Sequence, residues 1–297
     1  LYNINMEYDF FSFDDLHLSD SDIKPIDVYY TKNNKILELP SKILTVAVKM
    51  CFERLSFTFS KSHLESLINA TLDKNSSDND RYVCASLLKN ALIASEGKLP
   101  LCQDTGIANI FAWKDNGIVI DGDEHEALAT AIREIYLQKK LRLSTTVPSS
   151  IFTEYDPKNN LPANIGIFSS NVSGSGTSTQ KPAYRFLCCG KGGGSSNKTF
   201  FMQGTKANLN EQSFKEFLTE KIRNLGTSAC PPYTIAVVVG GLSPEQNLLA
   251  LKLATCGGFD SEKKMSLLKN TFSLQDNILR DNKWEHIVLD IAKNTKL

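Results

Sequence analysis

The chain is 297 residues long and carries 33 acidic and 33 basic side chains, so neither nucleic acid nor an acidic membrane surface is expected as a partner. Apolar residues make up 41% of it, which excludes a disordered chain and suffices for one large domain or two modest cores. No apolar run reaches the roughly 20 residues of a membrane-spanning helix, since even 233–239 is broken by Gly240-Gly241, and a soluble protein with no membrane partner is expected.

Residues 1–26 mix aromatics with Asp and Ser, and no targeting segment is legible there. The chain opens on Leu1 rather than Met, so it reads as a mature form or a fragment. Its 7 cysteines are scattered without the dense spacing of a secreted scaffold, which points to an intracellular, reducing compartment. Mitochondrial matrix and cytosol both fit.

Helices are predicted over 41–57, 62–72 and 80–95. Ile43, Val46, Val48, Met50 and Phe52 crowd one side of the first, and Val83, Leu87, Leu88, Ala91 and Leu92 recur at helical spacing in the third. The polar stretch 73–79 is a loop leading to an N-cap. Pro100 then drives the chain towards an extended path. Cys102 follows that break, ahead of the apolar run 107–113, which reads as a buried strand. A further helix is predicted over 123–140, with Leu128, Ala131, Ile132 and Ile135 as its apolar stripe and Lys139-Lys140 suiting its dipole. Arg142 comes just after it.

Residues 156–161 and 169–182 are turn-rich loops, and 184–189 has strand character. Lys191-Gly-Gly-Gly194-Ser-Ser-Asn-Lys198 follows. Three consecutive glycines contribute no packing and cost backbone entropy, so they are assigned to close backbone approach to a ligand. Another amphipathic helix is predicted over 209–224. Beyond it, Pro231-Pro232 forbid a helix and hold Cys230 on a rigid loop before an expected strand at 234–239. Ser243-Pro-Glu-Gln246 is a helix start, with Ser as N-cap and Pro at the first turn; that helix runs to about Cys256 and stops at Gly257-Gly258. This order indicates an α/β fold of mixed sheets flanked by helices.

Cys51, Cys84, Cys188 and Cys256 lie inside helix or strand patterns and read as small core hydrophobes. Cys102 and Cys230 do not, because Gln103-Asp104 and Pro231-Pro232 would waste core positions. Spacing alone leaves metal ligand and nucleophile both open for them, since no C-x-x-C pair is present. Residues 192–199 nearly match a phosphate-binding loop, but Asn197 stands where Gly is required and Phe200-Phe201 follow in place of a helix start, which excludes it. His17, His63, His125 and His286 form no ligand pattern and read as solvated surface residues.

Several ordered motifs nevertheless resemble one family. Asp78-Asn-Asp80-Arg, Leu87-Leu-Lys-Asn-Ala91, Leu99-Pro-Leu-Cys-Gln-Asp-Thr-Gly106, the 191–198 loop and Leu225-Gly-Thr-Ser-Ala-Cys-Pro-Pro-Tyr233 with Gly240-Gly241 are similar to the N-terminal cluster domain of class I, iron–sulfur-dependent fumarate hydratases. The resemblance spans about 37–297; residues 1–36 form an extension outside it. It implies a hydro-lyase interconverting fumarate and (S)-malate at the open iron of a [4Fe-4S] cluster, with Cys102 and Cys230 matching two of its three cysteine ligands. It further implies that Gln103, Arg142, Gly194 and Lys198 contact the dicarboxylate. By the same resemblance Asp104 is expected to support the proton-transferring base, which in the family is a threonine of a separate C-terminal domain. An Arg142 that merely caps the preceding helix is the bland alternative.

The family's third cysteine, a nearby histidine and that C-terminal domain have no counterpart in the chain, and Cys256 does not match the third position. The stretch 284–297 resembles the family's helix before that segment, so the chain is expected to be incomplete, and inactive alone. The family's dimers imply a homodimer for the complete enzyme; a partner subunit supplying the missing part is the alternative. Related tartrate dehydratases keep the same chemistry open for another diacid, and a cluster-free, inactive interaction module is the reading from a different class.

Overall fold

The computed structural model describes residues 24–26, 36–170, 183–206, 210–230, 233–240, 243–259 and 280–295. They divide into two units, Leu1–Gly192 and Gly193–Leu297. The expected loop at 169–182 falls mostly outside the described residues, as do His17, Pro231 and Pro232.

The first unit starts with two short strands, β1 (Lys24–Ile26) and β2 (Ile36–Pro40), followed by helices α1 (Ser41–Phe57), α2 (Lys61–Leu72) and α3 (Asp78–Ala94). Serines start the second and third helices. Ser60 accepts from the His63 N–H, and Ser77 forms a capping box with Asp80, which begins α3 two residues before the predicted start. Then come β3 (Ile107–Asp115), β4 (Ile118–Asp121), α4 (Glu124–Gln138), the hairpin β5 (Val147–Ser150) and β6 (Thr153–Tyr155), β7 (Asn164–Ser170) and β8 (Tyr184–Lys191). The architecture is α/β, with β3 parallel to β7 and antiparallel to β8 in one sheet, and β2 joining antiparallel β1 to parallel β4 in another.

Strand β3 is the centre of its sheet, which is why its predicted apolar run is buried from Ala108 to Trp113. Ala108, Ile110 and Ala112 face a core built from Ile43, Leu44, Val48 and Phe52 of α1 and from Leu128, Ala131, Ile132 and Ile135 of α4. The alternate residues Asn109, Phe111, Trp113 and Asp115 are buried as well. There Phe168 of β7 stacks on Trp113 at 5.9 Å, and the Asp115 carboxylate accepts from Arg185 and from the Ala183 N–H. A buried carboxylate needs such partners, because leaving the charge unpaired costs several kcal/mol. Helices α1 and α4 are joined further by the Lys49–Glu134 ion pair, by a pair between Glu53 and Lys139 at the α4 C-cap, and by the Thr45 hydroxyl donating to the Ala127 carbonyl.

In the second unit α5 (Gly193–Ser196) is a single turn, followed by α6 (Glu211–Leu225), α7 (Pro244–Thr255) and α8 (Asn282–Thr295). Asn210 caps α6, and Ser243 caps α7 by accepting from the Gln246 N–H, as the sequence predicts. The apolar side of α6 buries Leu218 and Ile222, and Trp284 of α8 packs edge-on against its Phe214 at 4.9 Å. The strand expected at 234–239 does not form. β-Branched composition favours an extended chain, but a strand exists only when a neighbour takes its N–H and C=O groups. Among the described residues none does, and Tyr233, Val237 and Val239 are exposed. One histidine also departs from expectation: His63 is half-buried against Phe59, and that burial lowers its pKa.

The α1–α4–β3 core sets a stability test. Ile132→Ala should cost about 2–5 kcal/mol in urea unfolding, because it leaves a cavity between two elements that cannot collapse, whereas Val119→Ala on exposed β4 surface should stay within about 0.5 kcal/mol.

Candidate functional site

The cysteine loop of the first unit is held from both ends. Ahead of Cys102, the Leu101 N–H donates to the Ser56 carbonyl at 2.8 Å, and the Asn90 amide donates to the Leu101 carbonyl at 2.7 Å. Cys102 and Gln103 are exposed, Asp104 is half-buried, and Thr105 and Gly106 are buried. After it, the Tyr136 hydroxyl of α4 lies 3.0 Å from both the Thr105 and Gly106 carbonyl oxygens. Burial raises the Tyr136 pKa, and the nearby charge of Cys189 adds to the effect, so this hydroxyl stays a donor across the physiological range.

Gly106 is required where it stands. Its φ is +79°, and a methyl group there would fall 2.5 Å from the Lys191 carbonyl carbon and 2.7 Å from the Gly192 nitrogen. The loop is thus pressed against the end of β8.

Arg142 lies past the end of α4, not on it. Lys139 is the C-cap, Lys140 turns the chain at φ 52°, and the Leu141 N–H closes back onto the Tyr136 carbonyl at 2.9 Å. Arg142 thus stands just beyond the C-cap residue. Its carbonyl accepts the Thr105 hydroxyl at 2.9 Å, which fixes its backbone to the cysteine loop, and the residue is exposed.

Asn160 is the hinge-pin of this arrangement. It is fully buried, and its side-chain oxygen accepts from the Ser144 and Thr145 N–H groups at 2.7 and 3.1 Å while its amide donates to the Gly106 carbonyl at 3.2 Å. The Ser144 hydroxyl in turn donates to Asp104 Oδ1 at 3.2 Å. Gly192 sits beside the other oxygen, and a methyl group on it would come within 2.8 Å of Asp104 Oδ2.

In the second unit the glycine turn abuts the other cysteine loop. A methyl group on Gly194 would meet the Ser228 carbonyl oxygen at 2.3 Å, and the Ser228 hydroxyl donates to the Gly194 carbonyl at 3.1 Å. Cys230, two residues on, is exposed. Lys198 is partly buried at the end of this turn, its N–H bonded to the Ser195 carbonyl. Close approach at Gly192 and Gly194 is therefore real, but the near neighbours are protein atoms, and the sequence argument that packing cannot explain these glycines is corrected.

Among the described residues no three His, Cys, Asp or Glu side chains gather into a metal-binding group. The thiols nevertheless divide sharply: Cys102 and Cys230 are exposed, Cys84 is buried, and Cys51, Cys188, Cys189 and Cys256 are partly buried. Thiolates are the usual ligands of iron–sulfur clusters, so the two exposed cysteines fit such a group by donor chemistry.

Comparison with known proteins gives the lineage. A family model described as fumarate hydratase (Fumerase) matches residues 45–296. The chain belongs to that family. It is 37% identical over 277 residues to fumarate hydratase 2 of Leishmania major, covering 93% of this chain and 46% of that protein. Against the aerobic class I fumarate hydratase of Escherichia coli K12, identity is 39% over 229 residues, covering 77% of this chain and 40% of the relative. The chain thus spans less than half the length of these relatives. A putative L(+)-tartrate dehydratase subunit alpha of Methanocaldococcus jannaschii is more distant, at 25% over 195 residues and 64% of each chain.

Sequence reasoning missed Tyr136, Ser144 and Asn160. Tyr136 falls on the apolar side of α4 and looks like core, and Ser144 carries no signal at all. Asn160 could have been suspected from Asn159-Asn160 before Pro162, since Asn tolerates the positive φ of 58° found there.

Asn160→Ala should destabilise the protein by about 2 kcal/mol or more in urea unfolding, because the Ser144 and Thr145 N–H groups lose their acceptor at once, while the Gly106 carbonyl keeps the Tyr136 hydroxyl. Amide hydrogen exchange at Ser144 and Thr145 should accelerate in the same variant.

Proposed function

We propose that this chain is the thiolate-bearing part of an iron–sulfur hydro-lyase that interconverts fumarate and (S)-malate. Residues 37–297 form its N-terminal portion. The observation that carries the reading is the hydrogen-bonded unit of the Cys102–Gly106 loop, the Asp104 carboxylate and the Arg142 backbone, on a chain whose relatives are named fumarate hydratases. It ties together backbone that carries a thiol, a carboxylate and a guanidinium, group types that metal-assisted loss of water from a dicarboxylate would use.

Cys102 and Cys230 would hold a [4Fe-4S] cluster, with a third ligand from outside the described residues. Bound there, the cluster supplies a Lewis acid that makes hydroxide a tolerable leaving group at neutral pH. The chain's own residues handle the rest of the substrate. The Arg142 guanidinium offers a planar fork for one carboxylate, the Gln103 amide and the Gly194 N–H offer neutral donors, and Lys198 adds charge near the glycine turn. Asp104 orients the base that takes the C3 proton as hydroxide departs from C2, leaving fumarate and water. Completion of the site calls for a second polypeptide region, either within a longer chain that pairs as a homodimer or on a separate subunit. The reading is compatible with either the mitochondrial matrix or the cytosol. Among the described residues no helix is long and apolar enough to cross a membrane.

The relationship to a tartrate dehydratase subunit supports a second reading, in which the same chemistry acts on a more hydroxylated diacid. Competition between malate and tartrate in one assay separates the two.

Anaerobic reconstitution with iron and sulfide should give the broad visible absorbance of a cluster. Cys102→Ser and Cys230→Ser should each abolish it while Cys51→Ser retains it. Undiminished absorbance in Cys102→Ser, or none in the unaltered protein, would favour a cluster-free interaction module. In the active holoenzyme Arg142→Lys should raise KM for fumarate by about 10-fold or more, since a point charge cannot replace a bidentate fork.

A further inference from the structure

We infer that Ser144 is a positioning residue for Asp104. Three contacts lead to it. The Ser144 hydroxyl donates to Asp104 Oδ1 at 3.2 Å, and the Ser144 N–H is itself held by the buried Asn160 oxygen at 2.7 Å. On the other side Gly192 leaves room for Asp104 Oδ2 that any side chain would fill, its methyl position lying 2.8 Å from that oxygen and 3.1 Å from Cγ. The Ser144 hydroxyl thus tethers one oxygen, and the absence of a side chain at Gly192 leaves room for the other, an arrangement that favours one orientation of a half-buried carboxylate. Ser144 does this without a charge and from a backbone that Asn160 fixes independently of any ligand.

The consequence is functional more than structural. A carboxylate that orients a base must stay within about 0.5 Å and 10–20° of its working geometry, and a misplacement of about 1 Å can cost on the order of 100-fold in rate. The hydroxyl itself contributes little to folding, because Ser144 is partly exposed and water can replace its bond.

The kinetic part of the test rests on the hydration reading above; the structural part does not. In the holoenzyme, Ser144→Ala should lower kcat for fumarate hydration by about 10-fold with KM changed by less than about twofold, and with iron content and thermal midpoint unaltered. Ser144→Thr, which keeps the hydroxyl, should recover kcat to within about threefold of the unaltered enzyme. A crystal structure of Ser144→Ala should show the Asp104 carboxylate in more than one rotamer on an unmoved 102–106 backbone. The role is overturned by an unaltered kcat in Ser144→Ala, by a raised KM at constant kcat, by a loss of kcat that follows an equal loss of iron or thermal midpoint, or by failure of Ser144→Thr to recover. If the unaltered holoenzyme turns over neither fumarate nor malate, the hydration reading fails, and the rotamer of Asp104 still decides: a single, unchanged orientation in Ser144→Ala overturns the inference.

Discussion

A buried carboxamide governs the first unit. Asn160 is surrounded by protein, so each of its polar atoms must find a partner inside the fold, and the partners it finds belong to two different segments. One is the carbonyl that ends the cysteine loop, and the other is the pair of N–H groups just past Arg142. Losing the side-chain oxygen would deprive the Ser144 and Thr145 N–H groups of their acceptor, at about 1–3 kcal/mol each, whereas the Gly106 carbonyl would still accept from Tyr136. The loop and the arginine segment are thereby held in one register before any ligand arrives, and Thr105 and Tyr136 repeat the constraint from the backbone of Arg142 and from α4.

This network needs a platform that does not move, and the α1–α4 pair on β3 supplies it. Tyr136 can reach the loop carbonyls only because Ile132 and Ile135 seat its helix on the sheet, and Gly106 meets the end of β8 only because β3 and β8 keep strict antiparallel register from Ile107↔Lys191 to Lys114↔Tyr184. The Tyr184 hydroxyl donates to Glu124 at the first turn of α4, closing the same circuit at its far end. Core packing here is what places polar groups, and not merely what stabilises the chain.

What was legible in the sequence follows from range. The long helices were found within two or three residues because apolar periodicity and caps such as Ser77 and Ser243 act over one or two turns. Short strands such as β2, β4 and β7 were missed because four to seven residues carry too little pattern, and their existence depends on partners far along the chain. The expected strand at 234–239 failed for the converse reason, having composition without a described partner. The same division runs through the site. Cys102 and Cys230 stand out because their neighbours would waste core positions, and Arg142 enters only through the family resemblance, whereas Ser144 and Asn160 act through contacts 40 and 54 residues away in sequence, which no local pattern encodes.

The glycine run shows how packing and chemistry can demand the same residue. Glycine was assigned to Gly192 and Gly194 on the ground that backbone must approach something closely, and it does; the neighbours are an Asp104 oxygen in one unit and the Ser228 carbonyl in the other. In neither place would a side chain merely lose an empty space. At Gly192 it would displace the carboxylate that Ser144 tethers, and at Gly194 it would push on the loop that leads to Cys230. A substitution in this run acts on the two cysteine loops through sterics alone, with no group of its own to lose. That is why two residues without side chains, Gly192 and Gly194, can constrain these loops as strictly as residues that carry functional groups.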